Sequence, residues 1–191
     1  MEKGLTIMEN DALIVVDVQN DFLPGGALAV TEGHRVIGPL NELMPRFSHV
    51  YATRDWHPRN HKSFSAHGGP WPHHCVQGSL GAEISPKLDH GHIHAVISKG
   101  TDTETEGYSA FDGTDLEQRL RAEGIERLFV AGLATDYCVK ATVLDARKRR
   151  FPVVVVTDAV AAVKVKPEDE MAAINAMRAA GCTLAHSGEI R

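Results

Sequence analysis

The segment 12–18 reads ALIVVDV and is apolar on both of the faces that a strand would present. Side chains alternate between the two faces of a strand, so a continuous apolar run indicates a strand covered on both sides, as in a parallel sheet. Further runs of this type lie at 49–55, 94–100, 127–133 and 152–158, and a weaker one lies at 182–186. The sequence therefore predicts a sheet of about six parallel strands.

Segments with helical periodicity separate these runs. They lie at 33–45, 114–124, 136–149 and 167–181. The second of them begins with Thr114 three residues before Glu117, the pattern of a capping box, and it ends at Gly124. The alternation predicts an α/β fold, a doubly wound and Rossmann-like three-layer sandwich with helices on both faces of the sheet.

Size and charge narrow the class of protein. With 191 residues, of which 43% are hydrophobic, the chain can bury one full core, and we expect a single domain over 1–191. The net charge is -5, and the one basic cluster, at 146–150, closes a predicted helix, where cations complement the helix dipole. We expect no nucleic-acid partner, no membrane partner and a cytoplasmic location, and the sequence leaves homo-oligomer formation open.

Polar residues stand just after several of the predicted strands. Asp17 ends the first strand, Asp55 and His57 follow the second, Lys99 ends the third, and Cys138 follows the fourth after a short turn. In open α/β sheets the carboxyl ends of the strands meet at one edge, where ligands bind. Each of these residues, taken alone, has an ordinary structural explanation. Burying Asp17 and Lys99 at the ends of apolar strands would, however, cost free energy unless their charges have partners. We therefore expect a site at this edge.

Cys138 has the surroundings of a nucleophile. It begins a predicted helix with Thr135 or Asp136 as N-cap, so the helix dipole and a nearby Lys99 ammonium are expected to favour its thiolate. Asp17 is placed to accept the thiol proton. The other two thiols are weaker candidates for a nucleophile. Cys182 lies in an apolar run and is expected in the core, and Cys75 is interpreted as the neighbour of a ligand. The sequence has no C-x-x-C pair, so it implies neither a disulfide framework nor a zinc ribbon.

A metal site is indicated near the second strand. Asp55 and His57 are two residues apart on an extended segment and so face the same side, where a third ligand from a distant loop would complete an open three-residue face. Mixed oxygen and nitrogen ligands suit zinc, iron or manganese. The cluster HGHIH at 90–94 is equally dense in histidine, but it precedes a strand and is interpreted as a solvated turn.

Six segments, in order, resemble the signature segments of the nicotinamidases, also called pyrazinamidases, among the isochorismatase-like cysteine hydrolases. They read VVDVQNDF, TRDWHPRNHKSF, WPHHCVQG, SKGTD, YSAFDG and GLATDYCV. The resemblance covers nearly the whole chain. It implies hydrolysis of nicotinamide to nicotinate and ammonia as a step of NAD salvage, and also hydrolysis of pyrazinamide to pyrazinoate.

The resemblance also implies roles for individual residues. The catalytic triad corresponds to Asp17, Lys99 and Cys138, and the ligands of one divalent metal ion correspond to Asp55, His57 and His74. The oxyanion hole corresponds to the backbone N–H groups of Ala134 and Cys138. The pocket walls correspond to Phe22, Trp71 and Tyr108. A further ligand at His61 is left open, and a cis peptide is expected between Leu133 and Ala134. The ring of the substrate would lie between Phe22 and Trp71, with its nitrogen toward the metal.

Competing functions remain at this stage. Another isochorismatase-like amidase or an isochorismatase would share the sheet. A metalloamidase would use a water on the metal as its nucleophile and leave Cys138 incidental, whereas a non-catalytic metal-binding or scaffold protein would use neither.

Overall fold

A computed structural model describes residues 4–191. Within these residues the strands are β1 (Asp11–Val16), β2 (His49–Asp55), β3 (Ala95–Lys99), β4 (Arg127–Leu133), β5 (Val153–Ala161) and β6 (Thr183–Ala185). The α-helices are α1 (Ile37–Leu43), α2 (Leu116–Ala122), α3 (Lys140–Lys148) and α4 (Asp169–Ala179). The strands form one sheet in the order β3-β2-β1-β4-β5-β6, and every adjacent pair is parallel. The predicted α/β fold with a six-stranded parallel sheet is confirmed.

The central strand β1 separates two hydrophobic cores. Leu13 and Val15 pack into one core together with α1, whereas Ala12, Ile14 and Val16 pack into the other, which receives the apolar residues of α2, α3 and α4. Every residue of β1 is buried. The uninterrupted apolar run is thus explained by helices on both faces of the sheet.

The strand order places the end of β1 at a topological switch point. From β1 the chain winds outward through β2 to β3, and it then returns to add β4 on the other side of β1. The loops after β1 and β4 therefore diverge and leave a crevice at the carboxyl edge of the sheet. This crevice receives the residues that follow both strands.

Several predicted boundaries differ from the structure. The capping box is wrong, because α2 begins after Asp115 without a side-chain cap from that residue, and the Thr114 hydroxyl donates to the carbonyl of Ala110 and accepts only from the N–H of Leu116 at 3.3 Å. The segment 33–45 contains two 3-10 turns around the seven residues of α1. Strand β5 continues to Ala161, because a register shift against β4 lets the chain pass the polar pair Thr157 and Asp158 and resume pairing.

Among the described residues 4–191, no helix combines the length and apolar character that crossing a membrane requires.

Gly132 allows β4 to pass close to β1. Its φ of +114° lies in the region that favours glycine, and a Cβ at this position would collide with the backbone carbonyl oxygen of Val16. We expect Gly132→Ala to lower the free energy of unfolding by about 3 kcal/mol and the Tm by roughly 6–12 °C. Gly38, where a Cβ meets nothing within 4 Å, is the matched control. Calorimetry should show an unchanged or slightly higher Tm for Gly38→Ala, and an unchanged Tm for Gly132→Ala would contradict the explanation.

Candidate active site

Three residues that are distant in sequence meet at the carboxyl edge of the sheet. Asp17 follows β1 directly, Lys99 is the last residue of β3, and Cys138 lies in a single π-helical turn, Thr135–Val139, that connects β4 to α3. All three side chains are buried. The structure thus brings together the three residues that the sequence assigns to a catalytic triad.

The Lys99 ammonium lies at the centre of this group. Its Nζ is 2.8 Å from Asp17 Oδ2, 2.6 Å from Asp55 Oδ1 and 3.5 Å from Cys138 Sγ, and it donates to the carbonyl of Gly107 at 2.6 Å. Burial opposes the charge, but the two carboxylates outweigh it and hold the pKa of Lys99 well above its ordinary value. Lys99 therefore remains a cation that contacts the Cys138 thiol and the carboxylates of Asp17 and Asp55.

Asp17 has the environment of a proton acceptor. Its Oδ1 accepts a hydrogen bond from the Thr53 hydroxyl at 2.7 Å, and its Oδ2 is oriented so that its close contact with Lys99 is an ion pair without hydrogen-bond geometry. Burial raises the pKa of Asp17 to about 6, against the lowering effect of Lys99. A carboxylate near this value can take a proton and return it close to neutral pH.

The surroundings of Cys138 oppose the thiolate that was expected for it. Burial raises the pKa of its thiol well above the ordinary value, and the carboxylates of Asp17 and Asp55 add to this increase, while Lys99 opposes it. The carboxylate oxygens and the sulfur lie within 4.8 Å of one another. The resting group is therefore a thiol that needs a base, and Asp17 is adjacent.

The turn that carries Cys138 is fixed by backbone contacts. The carbonyl of Ala134 accepts hydrogen bonds from the N–H groups of Tyr137 and Val139, both at 3.1 Å. Neither Thr135 nor Asp136 acts as the expected N-cap, because Asp136 accepts from the backbone N–H groups of Val163 and Lys164 instead. The peptide between Leu133 and Ala134 is cis, as expected.

Asp55, His57 and His74 form a second group beside Lys99. Their ligand atoms lie within 4.8 Å of one another, and Asp55 Oδ2 is 3.4 Å from His57 Nε2 and 4.0 Å from His74 Nε2. Asp55 thus faces Lys99 with one oxygen and the two imidazoles with the other. This division supports the predicted three-residue face.

Hydrogen bonds fix which imidazole nitrogens are available. His57 Nδ1 is 2.8 Å from the carbonyl oxygen of Gly100, and His74 Nδ1 is 2.8 Å from that of Pro72. A carbonyl oxygen can only accept, so both Nδ1 atoms carry a proton, and the two Nε2 atoms are the nitrogens left to ligate an ion beside Asp55. Metal-binding histidines are commonly oriented in this way, and the donor set fits a divalent ion.

His61 does not join this ligand group. It stacks on His57 with 4.0 Å between ring centroids, but its Nδ1 bonds to the Ser63 hydroxyl and its Nε2 to the carbonyl of Thr105. Both nitrogens are engaged, so in this arrangement His61 packs beside the ligands.

The two groups open into one pocket, in which the space between the protein atoms, together with the open mouth, is about 500 Å³. The predicted walls Phe22, Trp71 and Tyr108 all line it, as do Ala134 and Cys138. Trp71 Nε1 donates to the Tyr108 hydroxyl at 2.9 Å, which fixes the two aromatic side chains together. The apolar wall and the polar floor suit a flat aromatic ligand with a polar substituent.

Sequence reasoning missed several residues of the site. Tyr137 lines the pocket and packs against Trp71 with ring centroids 5.1 Å apart; its position beside Cys138 was the available signal. Gln19 is buried and exchanges hydrogen bonds with the backbone of Asp55, both at 2.8 Å. Asp21 accepts from the backbone N–H of Cys75 at 2.7 Å and so fixes the residue after His74.

The two remaining thiols are buried in the cores. Cys75 belongs to the core on the α1 side, and burial raises its pKa well above the ordinary value. Cys182 packs in the opposite core, as expected from its apolar surroundings.

Comparisons with known proteins show which family the chain is similar to. The family model for the isochorismatase domain matches residues 11–189. The nicotinamidase of Escherichia coli strain K12 is 43% identical, over 91% of this chain and 93% of that protein. Among solved structures, PnC1 from L. infantum in complex with nicotinate has a TM-score of 0.94 at 41% identity, with 98% of both chains covered. The pyrazinamidase of Pyrococcus horikoshii in complex with zinc has a TM-score of 0.86 at 48% identity, covering 93% of this chain and 99% of that one. The chain therefore belongs to the isochorismatase family, among its nicotinamidases.

Proposed function

We propose that this protein is an amidohydrolase that converts nicotinamide to nicotinate and ammonia in the cytoplasm, as a step of NAD salvage, and that also converts pyrazinamide to pyrazinoate and ammonia. The observation that carries the proposal is the contact of one buried ammonium, Lys99, with Asp17, Cys138 and Asp55 at the floor of an aromatic pocket. The names of the relatives, nicotinamidase and pyrazinamidase, support the choice of substrate.

The residues Asp55, His57 and His74 would hold one divalent ion, of zinc, iron or manganese. Two oriented imidazole nitrogens and a carboxylate oxygen are a donor set that these ions accept, with positions left open for ligands. When bound, the ion would supply a Lewis-acidic contact for the ring nitrogen of the substrate and so orient it.

The protein side chains would position the carboxamide. Phe22 and Trp71 line the pocket, and Trp71 is held by Tyr108, so a planar ring inserted here would be confined to one orientation. Confinement that brings the amide carbon to Cys138 Sγ converts the attack into an effectively unimolecular step.

Acylation would use Asp17 as the base. Its carboxylate takes the proton of the Cys138 thiol while the sulfur attacks the amide carbon, and the backbone N–H groups of Ala134 and Cys138 receive the developing oxyanion. The C–N bond then breaks as Asp17 returns its proton to the leaving nitrogen, which departs as ammonia. Lys99 keeps its charge throughout, and it stabilises the sulfur or the Asp17 carboxylate, whichever carries the negative charge.

Deacylation would reverse these roles. Asp17 takes a proton from a water molecule, whose oxygen attacks the thioester carbon, and the C–S bond breaks to release the carboxylic acid. The sulfur then recovers its proton from Asp17, which restores the starting state. The same base thus serves both halves of the reaction, in keeping with its pKa of about 6.

The activity can be tested with an ammonia-release assay on nicotinamide, pyrazinamide and benzamide. We expect hydrolysis of the first two, and a kcat/KM for benzamide lower by more than about 200-fold, since a site built around a polar contact rejects analogues that lack it far more strongly than shape alone does. Absence of ammonia from all three amides would refute the proposed function. Turnover of benzamide within about tenfold of nicotinamide would refute recognition of the ring nitrogen.

The thiol can be tested by comparing Cys138→Ala with Cys182→Ala. We expect the first substitution to reduce kcat for nicotinamide by at least about 10⁴-fold, because the nucleophile is lost. The second removes a core thiol away from the pocket and should retain activity. Comparable activity in the two variants would favour a metalloamidase, in which a water molecule and not the sulfur is the nucleophile.

The metal ligands can be tested by comparing His57→Ala and His74→Ala with His73→Ala. Each of the first two should lower the bound metal, measured by atomic spectrometry, by one equivalent per chain and raise the KM for nicotinamide, because two remaining ligands hold a divalent ion poorly. His73 is exposed beside His74 and lies outside the ligand group, so its removal should leave the metal content unchanged. Unchanged metal content in His57→Ala would remove that residue from the site.

A further inference from the structure

A second cluster of ligand-type side chains lies at the opposite end of the sheet. His49 is the first residue of β2, His94 directly precedes β3, and Glu123 directly follows α2. His49 and Asp55 are the two ends of the same strand, so at about 3.3 Å per residue this cluster lies roughly 20 Å from the active site. The two sites are therefore separate.

The carboxylate of Glu123 is shared between the two imidazoles. His49 Nδ1 is 2.8 Å from Glu123 Oε2, and His94 Nε2 is 3.0 Å from Glu123 Oε1. The three ligand atoms lie within 4.8 Å of one another. The hydroxyl of Tyr51 donates to Glu123 Oε2 at 2.6 Å and supports the carboxylate from the protein side.

We propose that His49, His94 and Glu123 bind a zinc-class divalent cation at this second site. Two imidazole nitrogens and one carboxylate oxygen form a donor set suited to zinc, with the fourth tetrahedral position left for water. Ligand atoms on a tetrahedral zinc ion, with bonds of about 2.0–2.1 Å, stand roughly 3.3 Å apart. The contacts of 2.8 Å and 3.0 Å run to different oxygens of Glu123 and are N–H···O hydrogen bonds. An ion would displace the protons that the two imidazole nitrogens direct at the carboxylate, and small side-chain rotations would then bring the three residues to bonding distance.

The backbone holds two of the ligands in place before any ion binds. β2 and β3 are paired in parallel, and the N–H of His94 donates to the carbonyl of Val50 at 2.8 Å, next to His49. The pairing therefore fixes the spacing of the two backbone segments, and an ion needs to order only the side chains. Tyr51 adds the supporting hydrogen bond that metal-binding carboxylates commonly have.

An ion can reach this cluster from solvent. The side chains of His49, His94 and Glu123 are 22%, 44% and 31% exposed. Arg119 lies one turn earlier on α2, but its guanidinium is paired with Asp115 at 2.9 Å. A bound ion would connect the end of α2 to the starts of β2 and β3, and it would stabilise the folded chain by mass action.

The test is a titration of the chain, free of any affinity tag, with Zn²⁺ in competition with a chromophoric chelator. We expect the wild type to bind one more equivalent than Glu123→Gln, which keeps the shape of the side chain but removes its charge, and than His94→Ala. The matched control is His92→Ala, an exposed histidine outside the ligand cluster, which should bind as many equivalents as the wild type. All three variants should retain amide hydrolysis, since the active site is remote.

Equal zinc stoichiometry in the wild type, Glu123→Gln and His94→Ala would overturn the proposal. A loss of one equivalent in His92→Ala as well would also overturn it, because the binding would then belong to surface histidines in general. The comparison is a difference between variants that share the active site, so its outcome does not depend on whether Asp55, His57 and His74 bind a metal.

Discussion

The arrangement of the active site depends on one buried charge, the ammonium of Lys99. A buried lysine is stable as a cation only when opposite charges compensate for its lost hydration, and here Asp17 and Asp55 do so at 2.8 Å and 2.6 Å. Because these carboxylates follow β1 and end β2, the ion pairs tie the ends of neighbouring strands together. The thiol of Cys138 is drawn into the same network. The proposed nucleophile, the proposed base and the carboxylate of the proposed metal site are thus positioned by contacts with one ammonium.

The topology of the sheet determines why this network forms where it does. Strand β1 lies between β2 and β4, so the residues after these three strands meet at one edge, where the change in winding direction leaves space. Gly132 lets β4 approach β1 where a side chain would collide with the Val16 carbonyl. Close packing of two central strands is therefore a condition for the distance between Asp17 and Cys138.

Sequence reasoning succeeded where a pattern is local. Apolar runs gave the six strands, and polar residues at their ends gave Asp17, Asp55, His57, Lys99 and Cys138, while His74 and the pocket walls were assigned through family resemblance alone. It failed on quantities that depend on surroundings. The thiolate expected from a helix start and a lysine is opposed by the surroundings, because burial beside two carboxylates raises the pKa of the Cys138 thiol against the effect of Lys99. The capping box expected from Thr114 and Glu117 is wrong, because Glu117 accepts from Arg149 and not from the backbone of Thr114, and the cap expected from Asp136 is wrong, because Asp136 accepts from Val163.

By itself, the sequence determined the α/β class, the parallel sheet and the edge at which chemistry-bearing residues gather, because strand periodicity and burial on both faces are written in neighbouring residues. Tertiary structure alone decided which atoms touch: that Asp55 faces Lys99 with one oxygen and two imidazoles with the other, and that Glu123 meets His49 and His94. Such contacts join residues many positions apart. Their distances and the resulting shifts in pKa are set by how the whole chain packs, which no local pattern encodes.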